Sequence, residues 1–435
     1  MCSIAGGMNT TQMLEAMKHR SPDGFRIFKD DKFEIGMGRL AIVDLKSEGL
    51  TLYHEDDYYL AFNGEIYNYK DLRKEIGGQF RTESDTEVLL KAYKKWGVDC
   101  LDKLNGMFAF AIYDGKTVFL ARDIAGEKPL YYTQKPFQFA SEAKALGFTC
   151  NELPPAHYLI YDFKEIKIKK WWNFEPKEID IEDAEEELEW LLEDSVKLRT
   201  QSDVPYGLYY SGGIDSTLIS TFHNFEHKFS YEDKNYAQEF HKIFPKIVWH
   251  LDYPVNHFSP FALWKLAEMA SKKVKVILSG EGADELFGGY VRYLLPSLQH
   301  QAKQKYPSYG GMFPNAKSPT ELGWKEFNGN MQELLRMADR MTSAFGMENR
   351  CPFLDRRIIE FAFSLKASEK INGFELKNIL RKILRKRKPD YEDFEKKGLY
   401  CNINEWIGSS DGYGKTDYLK LQNNIYETFL RNPSL

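Results

Sequence analysis

The chain is 435 residues long, carries a formal net charge of -5 and is 43% hydrophobic and 15% aromatic, enough for two or three domains with true cores. The acidic balance leaves no electrostatic footprint for nucleic acid, the nine histidines lack metal-ligand spacing, and no apolar run approaches the ~18 residues that span a bilayer. Five cysteines (Cys2, Cys100, Cys150, Cys351 and Cys401), odd in number and widely spaced, with no C-x-x-C pair and no secretory leader ahead of them, fit a reducing cytoplasm.

The chain opens "MCSIAGG". Removal of Met1 would leave Cys2 carrying a thiol of pKa ~8.5 and an α-amine of ~7.7 to 8.0, both close to neutrality. The amine could then act as base for the attacking thiolate. The alternative is a small apolar residue beginning a strand. Over roughly the first 165 residues, short β-like runs alternate with turn residues: "FRIFKDDKFEIGMGRLAIVDL", "YYLAFNGEIYN", "GMFAFAIYDGKTVFLARD" and "KPLYYTQKPFQFASEAKAL". The richest apolar stretch, Met107 to Tyr113, is short and strand-like. A helix is expected at "SDTEVLLKAYKKWG", with Ser84 or Asp85 as N-cap and Gly97 as its stop. This half reads as sheets packed face to face with helices outside.

Around "YDFKEIKIKKWWNFEPKEIDIED" the pattern turns to charge and then to helix, with Leu188, Leu191, Leu192 and Val196 at helical spacing. The acidic run reads as a solvated helix face, and the boundary between domains 2–165 and 180–435 is placed here. Beyond it, strands are expected at "YGLYYSG", "KFSYE", "KIVWHLD" and "VKVILSG", alternating with helices, which favours a parallel α/β sheet. Ligands in such sheets bind at the carboxyl ends of the strands. Two glycine-bearing motifs lie there, "SGGIDS" (Ser211 to Ser216) and "SGEGADELFGGY" (Ser279 to Tyr290). A strand, S-G-G-I-D-S and a helix in that order make a phosphate cradle, whereas no G-x-x-x-x-G-K-[ST] motif is present. The basic stretch "RKILRKRKPD" reads as a solvated face.

Twelve stretches, "MCSI", "HRSPD", "GRLAIVDL", "FNGEIYN", "SDTEVLLKAY", "GMFAFAIYD", "KPLYY", "SEAKAL", "SDVPYG", "SGGIDS", "LSGEGADELFGGY" and "ENRCPFLD", stand in the order found in glutamine-dependent asparagine synthetases, and the chain resembles that family over nearly its whole length. The resemblance implies an α+β N-terminal-nucleophile (class II) glutamine amidotransferase sandwich of antiparallel sheets with flanking helices. An α/β parallel sheet of the ATP-pyrophosphatase type with a helical extension would follow. Cys2 would attack the side-chain amide of glutamine, and Asn63 with the Gly64 N–H would receive the oxyanion. Arg39 would grip the glutamine carboxylate, Asp85 and Glu65 its α-ammonium, and Leu40, Ile42 and Val43 would complete that pocket.

In the second half the resemblance implies that Tyr210, Ser211, Gly213, Asp215, Ser216, Tyr231, Ser279 and Gly280 hold ATP. Asp215 and Asp284 would ligate Mg²⁺, a metal that takes one or two carboxylates plus phosphate oxygens. Glu281 matches a position tied to adenylate formation, and Lys377 a lysine that neutralises charge building on the phosphates. The alternative for Lys377 is a solvated residue of a basic helix. The implied substrates are glutamine, aspartate and ATP, with no nucleic-acid or membrane partner; assembly as a homodimer is left open.

The chain departs from the family pattern at Ser21, Ala125 and Glu127, in Tyr209 and Tyr210 ahead of S-G-G, in a shortened segment between Ser216 and Ser279, and at Tyr253 in "LDYPVNHFS". These last changes fall where the nucleotide and acceptor pockets are shaped. Beside asparagine formation there stand a related ligase or cyclase acting on another carboxylate and a non-catalytic nucleotide or glutamine sensor.

Overall fold

The computed structural model describes residues 1–46, 51–232, 234–255, 257–294, 301, 318–392, 401, 403–408 and 415–431. The first strands are β1 (Ser3–Gly6), β2 (Phe25–Lys29), β3 (Glu34–Gly38), β4 (Tyr53–Glu55), β5 (Tyr58–Ile66) and β6 (Gly106–Tyr113). They are followed by β7 (Val118–Arg122), β8 (Tyr131–Gln134), β9 (Phe137–Ala140), β10 (Asn151–Glu152), β11 (His157–Tyr161) and β12 (Ile166–Lys170). They form two six-stranded sheets, in the orders β10-β8-β9-β1-β3-β2 and β12-β11-β7-β6-β5-β4. All pairings in both are antiparallel.

The two-residue period of a strand explains how the layers separate. On β6, Ala109, Ala111 and Tyr113 face the other sheet, where they join Ile4, Ile35 and Met37, while Phe108, Phe110 and Ile112 take the outer face. Helices Tyr69–Ile76 and Asp85–Trp96 cover that outer face through Leu72, Val88 and Leu89. The second of these starts where expected: Ser84 caps it by accepting the Thr86 N–H at 3.1 Å, and Gly97 ends it at φ +60°. Helix Thr10–Ala16 closes the opposite side. The result is the expected α+β sandwich.

The buried Trp171 and Trp172 then lead into the second half: the indole of Trp171 donates to Arg122 O at 3.0 Å and that of Trp172 to Glu360 at 2.8 Å. Helix Ala184–Arg199 follows, with Leu188, Leu191, Leu192 and Val196 buried. Strands β13 (Tyr206–Tyr209), β14 (His227–Phe229), β15 (Val276–Leu278) and β16 (Glu348–Arg350) build a parallel sheet in the order β14-β13-β15-β16. One expectation fails. "KIVWHLD" is not a strand but the end of helix Ala237–Leu251. Its apolar residues recur as Phe240, Phe244, Ile247, Val248 and Leu251, all buried, a 3.6-residue period that Pro245 obscures. The basic stretch forms helix Asn378–Arg387, which buries Ile379, Leu380, Ile383 and Leu384 and pairs Lys386 and Arg387 with Glu189.

The two halves meet across a buried set of charges. Arg20, Glu142 and Lys144 come from the first half, Asp252, Asp339 and Arg340 from the second. Arg20 holds Glu142 and Asp339, each at 2.8 Å; Arg340 holds Asp252 at 2.8 Å and Glu142 at 3.0 Å; and Lys144 holds Glu142 at 2.6 Å and Asp252 at 2.8 Å. Three cations thus balance three anions, and burial pushes the pKa values of the neighbouring His19 and His250 down. Burial alone would raise Glu142 and Asp339, but Lys144, His19 and Arg340 around the first and Arg20 beside the second hold both below the usual carboxylate range.

Removing one member of such a set leaves buried charge without its partner. Arg340→Ala should therefore cost about 3–5 kcal/mol of stability, read as a lower urea midpoint. Arg431→Ala, on the exposed Arg431–Glu427 pair, should leave the midpoint where it is. Because the two acids are depressed, their contribution is complete above the ordinary carboxylate pKa and is lost as pH falls through their folded values, below about 4. A difference between the variants that persists unchanged to pH 2 would contradict this account.

Candidate active sites

Cys2 immediately precedes β1, and the register Ser3↔Gly38 sets it beside the loop that leaves β3. The Leu40 N–H points at Cys2 Sγ at 3.4 Å. Arg39, Leu40, Ile42 and Val43 from that loop, Phe62, Gly64 and Glu65 from β5, and Ser84, Asp85 and Thr86 from a helix start line one pocket with Cys2. Seven of the expected residues therefore converge on the thiol. Asn63 is fully buried between Phe62 and Gly64, and both polar atoms of its side chain lack a protein partner. Strand alternation places it on the same side as Ala61, which faces the sheet that carries Cys2. Gly64 is required as glycine: its φ is +152°, and a Cβ would lie 2.0 Å from Met107 O.

Burial raises the Cys2 thiol pKa. Burial also lowers the Met1 ammonium to about 5, with Glu348 opposing the shift, and that ammonium donates to Met347 O at 3.3 Å. With Met1 in place, its sulfur lies 3.0 Å from Lys128 Nζ at the seam between the halves. Two acids stand in the pocket. Asp85 is pushed up to about 6 by burial, against the Ile66 N–H at 2.9 Å and the Ser84 hydroxyl at 3.1 Å, which favour its anion. Burial also raises Glu65, opposed by Arg350 at 2.9 Å. Arg39 does not pair with Asp85; its Nη2 donates to Asp44 O at 2.7 Å.

The second pocket lies at the carboxyl ends of β13 and β15. Tyr210, Ser211, Asp215, Ser216, Tyr231, Ser279, Gly280, Glu281 and Asp284 line it, with Tyr209, Tyr290, Leu263, Leu266, Leu334 and Met337. Gly213 caps helix Ile214–Phe222 behind it, and its N–H donates to Ser211 Oγ at 3.3 Å. Lys377 does not sit on a solvated face. It is 4% exposed, stands at φ +54° ahead of helix Asn378–Arg387, and bonds Asp215 at 2.6 and 2.7 Å and Asp284 at 2.6 Å. The two expected metal ligands thus converge on one cation. Two carboxylates at one point suit Mg²⁺ with phosphate oxygens completing its shell, whereas no group of three His, Cys, Asp or Glu forms a metal site among the described residues.

Tyr253 does not shape this pocket. Its ring packs 6.3 Å from Tyr131 and 5.3 Å from the Arg336 guanidinium, at the seam between the halves. The preceding Asp252 turns the chain at φ +68°, so the side chain that follows is carried away from the strand ends. Two other departures are accommodated: Ser21 Oγ bonds Ser3 Oγ at 2.9 Å, and Ala125 O accepts from Gln332 at 2.8 Å. Two residues escaped the sequence reading. A Cβ on Gly289 would meet Asp284 Oδ1 at 1.9 Å and Lys377 Cε at 2.2 Å, so the second glycine of "FGGY" makes room for the charged pair. Arg350, inside "ENRCPFLD", is fully buried, and nothing local in the sequence marks its partner Glu65.

The family profile for a glutamine amidotransferase domain matches residues 1–152, and that for asparagine synthase matches residues 187–232 and 226–408. The chain is 29% identical to asparagine synthetase [glutamine-hydrolyzing] 1 of Bacillus subtilis over 94% of its own length and 88% of the relative's. It is 31% identical to asparagine synthetase B [glutamine-hydrolyzing] of Escherichia coli over 97% and 84%. Against asparagine synthetase [glutamine-hydrolyzing] 3 of Arabidopsis thaliana it is 30% identical over 97% and 80%.

The Cys2 pocket should respond to pH through Asp85. A ¹³C-detected titration of that carboxyl should show a midpoint near its pKa of about 6, and Ser84→Ala, which removes a hydrogen bond to the anion, should move the midpoint upward. An Asp85 midpoint near 4 in the folded chain would show that the pocket is more solvated than its geometry states.

Proposed function

The chain belongs to the asparagine synthetase family, and from this membership and the two sites we infer glutamine-hydrolysing asparagine synthetase activity: ammonia from glutamine converts an ATP-activated aspartate side chain to asparagine. The observation that carries the glutamine half is Asn63, a fully buried amide without a protein partner, set between Phe62 and Gly64, which line one pocket with Cys2. An unpaired buried donor costs about 1–3 kcal/mol. It is supported here as a group preset for charge that develops only during reaction. The relatives named above, matched across both halves, bear the name asparagine synthetase, which favours this reading over a ligase for another carboxylate or a sensor.

In the first site, Cys2 Sγ adds to the amide carbon of glutamine while Asn63 and the Gly64 N–H take the oxyanion. The base is the α-amine of Cys2 itself, which requires that Met1 be removed, since an acylated nitrogen cannot accept the thiol proton. Collapse forms the thioester and expels ammonia, and water then releases glutamate. Asp85 and Glu65 attract the α-ammonium of glutamine. Arg39 serves its carboxylate from a guanidinium now satisfied by loop carbonyls, which exchange easily.

In the second site the Ser211–Ser216 loop and the start of helix Ile214–Phe222 cradle the phosphates. The aspartate side-chain carboxylate attacks the α-phosphorus, forming the acyl-adenylate and releasing pyrophosphate. Ammonia then adds to the acyl carbon and AMP leaves. Asp215 and Asp284 would hold Mg²⁺, which supplies positive charge to the phosphates. Lys377, released from the two acids, supplies its charge from the same point. A cytoplasmic setting agrees with five free cysteines.

Two variants divide the reaction. Cys2→Ala should lose asparagine formation from glutamine and retain it from ammonium salts. Lys377→Ala should lose synthesis from either nitrogen source while sparing glutamine hydrolysis, lowering AMP release by about a hundredfold, the loss expected for one preorganised charge partner of roughly 3 kcal/mol. Glutamate and AMP measured in parallel read both. Near-normal AMP release by Lys377→Ala, or loss of ammonia-dependent synthesis in folded Cys2→Ala, would overturn the assignment.

A further inference from the structure

Arg350 touches both sites. Its carbonyl accepts the N–H of Ser279, which lines the second pocket, at 3.0 Å. Its guanidinium reaches in the opposite direction, to Glu65 of the Cys2 pocket, at 2.9 Å between Nη2 and Oε1. The rest of the side chain is clamped: Nε donates to Glu348 at 2.9 Å, and Nη1 donates to Arg199 O at 3.0 Å and Gln201 O at 2.7 Å. Nη2 alone, though buried and close to Glu65, is not aligned for a hydrogen bond. The one unsatisfied donor of a fully buried guanidinium therefore lies at the contact that joins the two sites. The next residue continues the connection, because Cys351 Sγ lies 3.7 Å from Ser279 Oγ.

We propose that Arg350 is a positioning residue common to both sites, through which glutamine beside Cys2 and a nucleotide at Ser279 strengthen each other's binding. The inference rests on the assignment of glutamine to the Cys2 pocket. A nucleotide that orders the Ser279–Glu281 turn holds the end of β16 through the Ser279–Arg350 bond, and a fixed β16 end directs Nη2 at Glu65. An aligned Arg350 favours the anion of Glu65, the form that attracts the ammonium of glutamine. Coupling of binding free energies is reciprocal, so glutamine must tighten nucleotide binding by the same factor.

The test measures the glutamine KM for glutamate release by the full chain, with and without an ATP analogue whose α,β bridge cannot be cleaved. In the wild type the analogue should lower that KM by about fivefold, the small end of ordinary coupling. Arg350→Lys, which keeps the charge but cannot span Glu65 and both carbonyls, should lose the shift. Glu348→Gln, which replaces the charged acceptor of Nε by a neutral amide oxygen and so loosens the clamp on the guanidinium, should weaken the shift and serves where Arg350→Lys fails to fold. Binding of the analogue should tighten by the same factor when glutamine saturates Cys2→Ala, which binds without turnover. A wild-type KM indifferent to the analogue, or a shift kept in folded variants, overturns the inference alone. Absence of any glutamine hydrolysis overturns the proposed function and this inference with it.

Discussion

Six buried charges at the seam between the halves determine how the molecule is put together. Arg20, Glu142 and Lys144 face Asp252, Asp339 and Arg340; the first half supplies two cations and one anion and the second two anions and one cation, so neither could neutralise its own buried set alone. Apolar residues of the same volume could hold two surfaces together as strongly, since desolvation cancels much of what ion pairs contribute. They would not fix the register. An arginine that bonds two carboxylates at 2.8 Å does so in one relative placement of the sheets, and that placement brings β16, which holds Ser279 within its own sheet, against the Cys2 pocket. The orientation of one site toward the other is thus a consequence of charge pairing rather than of the linker.

Both sites carry groups whose present partners differ from those that chemistry would give them. Asn63 has none, Lys377 is occupied with two carboxylates, and Arg39 is occupied with loop carbonyls. Such arrangements are unfavourable or neutral for folding and become favourable when substrate arrives. The Gly289 backbone, packed against Asp284 and Lys377 with no space for a Cβ, shows that the second site was shaped around its charged pair. The first is shaped the same way around Gly64, where only glycine lets β5 approach Met107 O.

Much of this was legible in the chain itself, for physical reasons that differ from site to site. The strand at Met107 to Tyr113 and the cap at Ser84 are local, and so they read correctly. The strand, glycine turn and helix start around Ser211–Ser216 read because they are consecutive in the chain. "KIVWHLD" misleads because a run of branched residues satisfies strand preference while its neighbours Phe240 and Phe244 set a helical period. Tyr253 misleads because only the turn at Asp252 decides where it points. Arg350 and Gly289 escape altogether, since their partners Glu65, Asp284 and Lys377 are brought to them by the fold rather than by spacing.

Two pockets that are stations of one reaction require nitrogen to pass between them inside the protein. Asparagine formed from amide-¹⁵N glutamine in the presence of an equal concentration of unlabelled ammonium tests this most directly. Internal delivery predicts that the new side-chain amide is almost entirely ¹⁵N. An amide whose ¹⁵N content matches the mixed ammonium pool would mean that the nitrogen leaves the first site for solvent, and that the seam holds two independent enzymes together.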